Sequence, residues 1–169
     1  PTQLKSSLTV QGDEDKAYHS QNIVAEQLVG EGFMEILNNS LTKASYYTDF
    51  DLNKYPNEST VKVMNPLSAD LGVMRQTMLF GGLESVSRNI NHKSANLKFF
   101  EVGNTYIYNK EKWTAESPIK AYSQEGHISL FITGKRVEGS WAHADEQSSI
   151  YELKAVVENI LRRVGMPQN

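Results

Sequence analysis

Residues 97–108 read LKFFEVGNTYIY. Leu97 to Val102 and Thr105 to Tyr108 are rich in aromatic and β-branched residues, which suit a pleated surface, and Gly103-Asn104 joins the two runs. The pattern predicts two strand segments, or one strand with a bulge at the junction. Downstream, 109–126 reads as a loop carrying Lys110, Lys112, Trp113 and Pro118. From His127 to Thr133 the residues alternate, with Ile128, Leu130 and Ile132 on one side, as in a half-buried strand. A second loop, 134–147, leads to a helix with clear signals at both ends. Ser149 and Glu152 form a capping box; Leu153, Val157, Ile160, Leu161 and Val164 make its apolar face; Arg162 and Arg163 suit its C-terminal dipole; Gly165 and Pro167 end it.

Upstream, Leu79, Leu83, Val86 and Ile90 recur at i, i+4, i+7 and i+11, which predicts a helix over 77–92 with this row buried. Gly81-Gly82 in its first turn costs helix stability and implies a close packing contact or a late start. Val61 to Met64 reads as a strand closed by Asn65-Pro66, and Phe33 to Leu37 as another, broken by Asn38-Asn39-Ser40. Leu41 to Tyr47 fits a helical turn, followed by a polar loop through Ser59. Asp13, Glu14 and Asp15 open a helix over about 14–29, whose stripe is Ala17, Tyr18, Val24, Ala25, Leu28 and Val29 and whose stop is Gly30 with Gly32. Ile23 falls off that stripe beside His19 and Glu26, and the three mark a second side of the helix that could face a partner.

The chain has 169 residues, enough for one domain with a real core. Its 17 Lys and Arg against 20 Asp and Glu give a net charge of −3, which argues against a strongly basic nucleic-acid wrapper. With no cysteine, disulfides, thiolate metal sites and cysteine nucleophiles are excluded. No apolar run reaches membrane-spanning length. The chain begins at Pro1, with no signal-like segment after it, and reads as a fragment of something longer: a linker over 1–12 and a core domain, truncated at its C-terminus, over 13–169.

Motifs for chemistry mostly fail. His19, His92, His127 and His143 lack metal-ligand spacing. Gly30-Glu31-Gly32 opens a dinucleotide fingerprint, yet Glu35 stands where its third glycine belongs. Gly134-Lys135 is followed by Arg136 where a phosphate loop needs Ser or Thr. No catalytic, cofactor-binding or metal-binding residue emerges. Two groups of basic residues stand out, Arg88, His92, Lys93 and Lys98 around one helix end and Lys110, Lys112 with Trp113 in a loop; both read first as solvated surface.

Four blocks occur in order: Asn65-Pro66-Leu67-Ser68; Met74-Arg75 through Leu79-Phe80-Gly81-Gly82-Leu83; Arg88-Asn89; and Phe99-Phe100-Glu101-Val102-Gly103-Asn104-Thr105-Tyr106. Together they resemble the core domain of the beta subunit of bacterial-type phenylalanyl-tRNA synthetase, over nearly the whole chain. Gly81 departs from the proline usual there. The resemblance implies an α+β fold similar to a class II aminoacyl-tRNA synthetase catalytic domain, an antiparallel sheet flanked by helices. Its structural family residues here are Asn65, Pro66, Met74, Arg75, Leu79, Gly82, Leu83, Asn89, Phe100, Glu101, Gly103 and Tyr106.

In that family this core is catalytically silent and the alpha subunit does the chemistry. Counting from Gly103 places Ile107 where the class II second motif has the arginine that holds the ATP α-phosphate, and isoleucine supplies no charge to phosphate. The resemblance therefore implies no catalytic residue and no cofactor in this fragment. It implies a parent complex of two alpha and two beta subunits, cytoplasmic, that attaches phenylalanine to tRNA(Phe) with ATP and magnesium. Docking to the alpha subunit is expected through His19, Ile23 and Glu26, and self-association of the fragment through an uncovered apolar face. Arg75 and Glu101 are expected to form an ion pair tying the loop after Asn65-Pro66 to the central strand. Two other readings stay open: a tRNA-contacting module using Lys93, Lys98, Lys110 and Lys112, and an active adenylate-forming enzyme.

Overall fold

Alternate residues of the 97–108 stretch point to opposite sides, so a strand there can serve two cores at once. In the computed structural model, which describes residues 12–49 and 54–166 except for the side chains of Asp13 and Glu14, it does so. Residues 1–11 of the linker expected over 1–12, and the helix-ending Pro167, lie outside the described residues. In chain order the helices are α1 (Asp13–Gly30), α2 (Ser45–Thr48), α3 (Leu79–Asn91) and α4 (Ile150–Arg163). The strands are β1 (Met34–Glu35), β2 (Leu41–Thr42), β3 (Val73–Met74), β4 (Leu97–Tyr108), β5 (Tyr122–Thr133), β6 (Lys135–Val137) and β7 (Glu146–Gln147).

The antiparallel β4–β5 pair is the backbone of the fold, running in continuous register from Leu97 opposite Thr133 to Tyr108 opposite Tyr122. No bulge interrupts it, so Gly103-Asn104 lies within one strand. β1 adds to the other edge of β4 in parallel, Met34 beside Phe99, and Ile36 N–H extends the pairing to the Phe100 carbonyl at 2.8 Å. On one face Phe100 packs with Val24 and Leu28 of α1, Phe33, and Val156 of α4. On the other, Leu97, Phe99 and Phe131 pack with Val86 of α3. The result is three layers, helices on both sides of the sheet. Each such side chain contributes about 1.5–3 kcal/mol on burial, so the strand that serves both faces concentrates the stabilisation.

Several local expectations are corrected. Of the row Leu79, Leu83, Val86 and Ile90, Val86 is buried as expected, whereas Leu79, Leu83 and Ile90 are 44–49% exposed and Gly82 joins Val86 in the contact. A Cβ at Gly82 would overlap the Phe131 ring; helix and strand approach too closely there for any side chain. Tyr18 and Val29 also lie outside the α1 contact face, which is centred on Val24, Ala25 and Leu28. The expected strand at 61–64 makes only a bridge from Lys62 to Val73. Strand 33–37 shortens to β1, and within Leu41–Tyr47 a short strand β2 precedes the helical turn α2. Loop 109–126 gives up its second part to β5, and loop 134–147 holds the β6–β7 pair. Ser149 caps α4 by accepting from Glu152 N–H at 3.4 Å, while the Glu152 carboxylate turns to Lys98 at 2.8 Å.

Candidate functional site

The recognisable blocks converge on one buried polar network. β3 delivers Arg75 onto the sheet, and Arg75 Nη1 lies 2.7 Å from Glu101 Oε1 with both side chains buried. Arg75 Nε donates to the Asn104 carbonyl at 2.9 Å. The other Glu101 oxygen accepts from Asn38 Nδ2 at 2.7 Å, and Asn38 Oδ1 in turn accepts from Ser85 Oγ of α3 at 2.7 Å. Backbone bonds complete the tie, Arg75 N–H to the Ser40 carbonyl and Tyr106 N–H to the Arg75 carbonyl, each 2.9 Å. Gly103 is glycine because a Cβ would run into the Arg75 guanidinium. A carboxylate this deep is tolerable because both of its oxygens are bonded, one to a cation.

Beside it lies a second buried polar knot. Tyr47 Oη accepts from Gln76 N–H at 2.8 Å, and Gln76 Nε2 donates to Thr60 Oγ1 at 2.7 Å and to the Pro56 carbonyl at 3.0 Å. Burial pushes the Tyr47 phenol above its ordinary pKa. On the surface, Tyr46 Oη donates to Glu84, and that hydrogen bond pushes the Tyr46 pKa up to about 12.

Of the other family residues, Met74 sits in β3, Asn89 donates to the Ser85 carbonyl at 2.8 Å, and Phe100 fills the core. Leu79 and Leu83 face outward, and Asn65 and Pro66 are exposed. His19 and Glu26 are exposed on α1 and Ile23 is half-buried. The four lysines Lys93, Lys98, Lys110 and Lys112 are not gathered: they flank opposite ends of β4, about 35 Å apart at ordinary strand rise. Lys98 is moreover paired with Glu152. In the sequence Asn38 reads as a strand breaker, and Ser85 carries no signal of its own. No local signal announces either, since Asn38 and Glu101 are 63 positions apart.

The β4–β5 face beyond Arg75 holds a cleft of about 310 Å³ with Ile107 in its lining. Its cationic side chain is Lys54, which is exposed. Among the described residues, no group of three or more His, Asp or Glu could hold a metal ion.

Residues 1–169 match the family described as "Phenylalanyl tRNA synthetase beta chain CLM domain". A phenylalanine–tRNA ligase beta subunit from Bacteroides fragilis is 58% identical over 166 residues, 98% of this chain. One from Porphyromonas gingivalis is 48% identical over 163 residues, 96% of this chain. The chain spans 20% of the length of each of these curated relatives. Among solved structures, an ATP phosphoribosyltransferase regulatory subunit/histidyl-tRNA synthetase from Bacillus halodurans superposes with a TM-score of 0.62 at 12% identity, over 99% of this chain and 40% of its own. A pyrrolysyl-tRNA synthetase from Desulfitobacterium hafniense gives 0.56 at 14% identity, over 90% of this chain and 46% of its own. These likenesses show the fold alone, and it is the class II synthetase-like α+β fold expected from the sequence.

Proposed function

Because the chain belongs to the family of phenylalanyl-tRNA synthetase beta-chain CLM domains, we propose that it is the non-catalytic core of that subunit and supports assembly with the alpha subunit. Chemistry in this reading resides in the partner, and the parent complex attaches phenylalanine to tRNA(Phe) with ATP and magnesium in the cytoplasm. Ile107 carries the reading. Adenylate formation needs a planar cation beside the α-phosphate, and the cleft offers an isoleucine in its lining and an exposed lysine. Arg75, the buried arginine nearby, is committed to Glu101 and to the Asn104 carbonyl.

Assembly is assigned to the side of α1 that carries the exposed His19 and Glu26 and the half-buried Ile23. Two measurements test the proposal together. The chain alone is expected to give no ATP–pyrophosphate exchange above background, and with the cognate alpha subunit it is expected to elute as a complex on a sizing column with light scattering. Measurable exchange overturns the non-catalytic assignment. A folded chain that does not associate moves docking elsewhere in the subunit.

A further inference from the structure

The loop between β6 and β7 holds an indole clear of the fold. Among the described residues Trp141 is the most exposed large apolar side chain, at 100%. Its loop is nevertheless ordered from within. Ser140 N–H donates to the His143 carbonyl at 2.9 Å, the Ser140 hydroxyl accepts from Ala142 N–H at 3.2 Å, and the Asp145 carboxylate accepts from Gly139 N–H. Lys135 Nζ of β6 lies 2.8 Å from that same carboxylate and ties the loop to its strand. A side chain presented on a loop already ordered loses less freedom when it is buried, which is the preorganisation an anchor needs. Tryptophan is among the residues enriched at such anchor positions.

The charges around the hairpin decide the class of partner. Lys135 is engaged by Asp145, Arg136 Nη1 lies 3.2 Å from Glu146, and Glu138 accepts from Asn96 Nδ2 at 2.7 Å. Stacking on nucleic-acid bases goes with a groove of cations that track the backbone, and here the lysine and the arginine are both matched by carboxylates. The tip, with Trp141 between Ser140 and Ala142, fits an apolar slot on a protein instead. One large side chain is little for two separate chains, whose stable interfaces bury about 1,200–2,000 Å². It suffices for a segment of the same polypeptide, which meets the tip at high effective concentration. The chain spans 20% of the length of its Bacteroides fragilis and Porphyromonas gingivalis relatives, so most of such a subunit lies outside it.

We propose that Trp141 anchors this domain to another segment of its own subunit, seated in an apolar slot. The floor of that slot carries a carbonyl or carboxylate for the indole N–H, because a buried indole needs an acceptor. The inference rests on reading the chain as part of the beta subunit, and it adds a contact distinct from the α1 side assigned to the alpha subunit.

Fluorine NMR tests it on the full-length subunit that contains this chain, labelled with 5-fluorotryptophan and kept free of the alpha subunit. The Trp141 resonance is identified by its loss in Trp141→Phe. In the folded subunit it is expected to lose the H2O–D2O solvent shift that it shows in urea. In Trp141→Ala, hydrogen exchange read by mass spectrometry is expected to quicken at least tenfold in one segment outside residues 1–169, and in Trp141→Phe by less. A resonance that keeps its full solvent shift, protection that arises only once the alpha subunit or tRNA is added, or exchange unchanged outside 1–169 in Trp141→Ala would each overturn the proposal. The labelled subunit is then mixed with the alpha subunit. Association with Trp141 still exposed removes the anchor alone, whereas failure to associate removes the reading of the chain on which the anchor rests.

Discussion

At the scale of the residue, the Arg75–Glu101 pair shows why a buried charge is costly to disturb from one side only. Arg75→Met leaves the Glu101 carboxylate in the core with only the Asn38 donors, and a loss of about 3–5 kcal/mol in denaturant unfolding is expected. Arg75→Met combined with Glu101→Leu removes both charges and is expected to recover much of that loss, while leaving the Asn38 amide short of its acceptor. Gly82→Ala tests the close approach of α3 to β5. Helix propensity favours alanine by about 1 kcal/mol, but the added carbon meets the Phe131 ring, and overpacking of about 1–3 kcal/mol should prevail. A lowered unfolding midpoint is expected; a raised one would mean that the sheet can give way.

Tyr46 offers a pH measurement at the same scale. Its folded pKa, near 12, lies above the ordinary 10.0 because the neutral phenol donates to Glu84. Its contribution to stability is therefore complete below pH 10 and is lost as the pH rises toward 12. In Glu84→Gln the phenolate absorbance change of Tyr46 is expected to move down toward the ordinary range.

At the scale of the element, three helices end in the same way. In α1 the Phe33 N–H returns to the Leu28 carbonyl and Gly32 N–H to Val29; in α4 Met166 returns to Leu161 and Gly165 to Arg162; in α3 Ser94 returns to Asn89 and Lys93 to Ile90. This closure puts one residue in the left-handed region. Gly32 and Gly165 take it freely at φ 86° and 77°, whereas Lys93 takes it at 64° with a side chain in the way. Lys93→Gly is expected to stabilise the chain by about 0.5–1 kcal/mol, read as a rise in the denaturation midpoint.

The same comparison shows what the sequence could disclose. Ser149 and Gly165 were legible as helix ends because the bonds they make are local. The α3 row was legible in part: Val86 is buried as expected, but spacing cannot say which flank of a stripe the sheet will cover, and with Gly82 against Phe131 the flank of Leu79, Leu83 and Ile90 is left open. In the candidate site, Arg75 and Glu101 stood out as the charged pair of the blocks that carry the resemblance, whereas Asn38 and Ser85 owe their places to partners far along the chain.

At the scale of the whole molecule, α1 and α4 lie side by side over Phe100, although more than a hundred residues separate them in sequence. In the proposed reading, the side of α1 that carries His19, Ile23 and Glu26 meets the alpha subunit. Ile23 is half-buried beside Val24, so Ile23→Asp is expected to cost about 1 kcal/mol in denaturant unfolding while leaving the chain folded. It is also expected to weaken association with the alpha subunit at least tenfold; unchanged affinity would remove this helix from the interface.

The pairing of α1 with α4 also sets the order in which the core closes. A chain emerging from the ribosome through β5 has both long strands and α1, but the patch around Phe100, Leu130 and Ile132 still lacks Val156 and Ile160. Contacts of such sequence separation form late, and until α4 is released that patch stays wet and adhesive. Docking of α4 is thus the step that closes the core, and any arrest of synthesis before it leaves a sticky half-core.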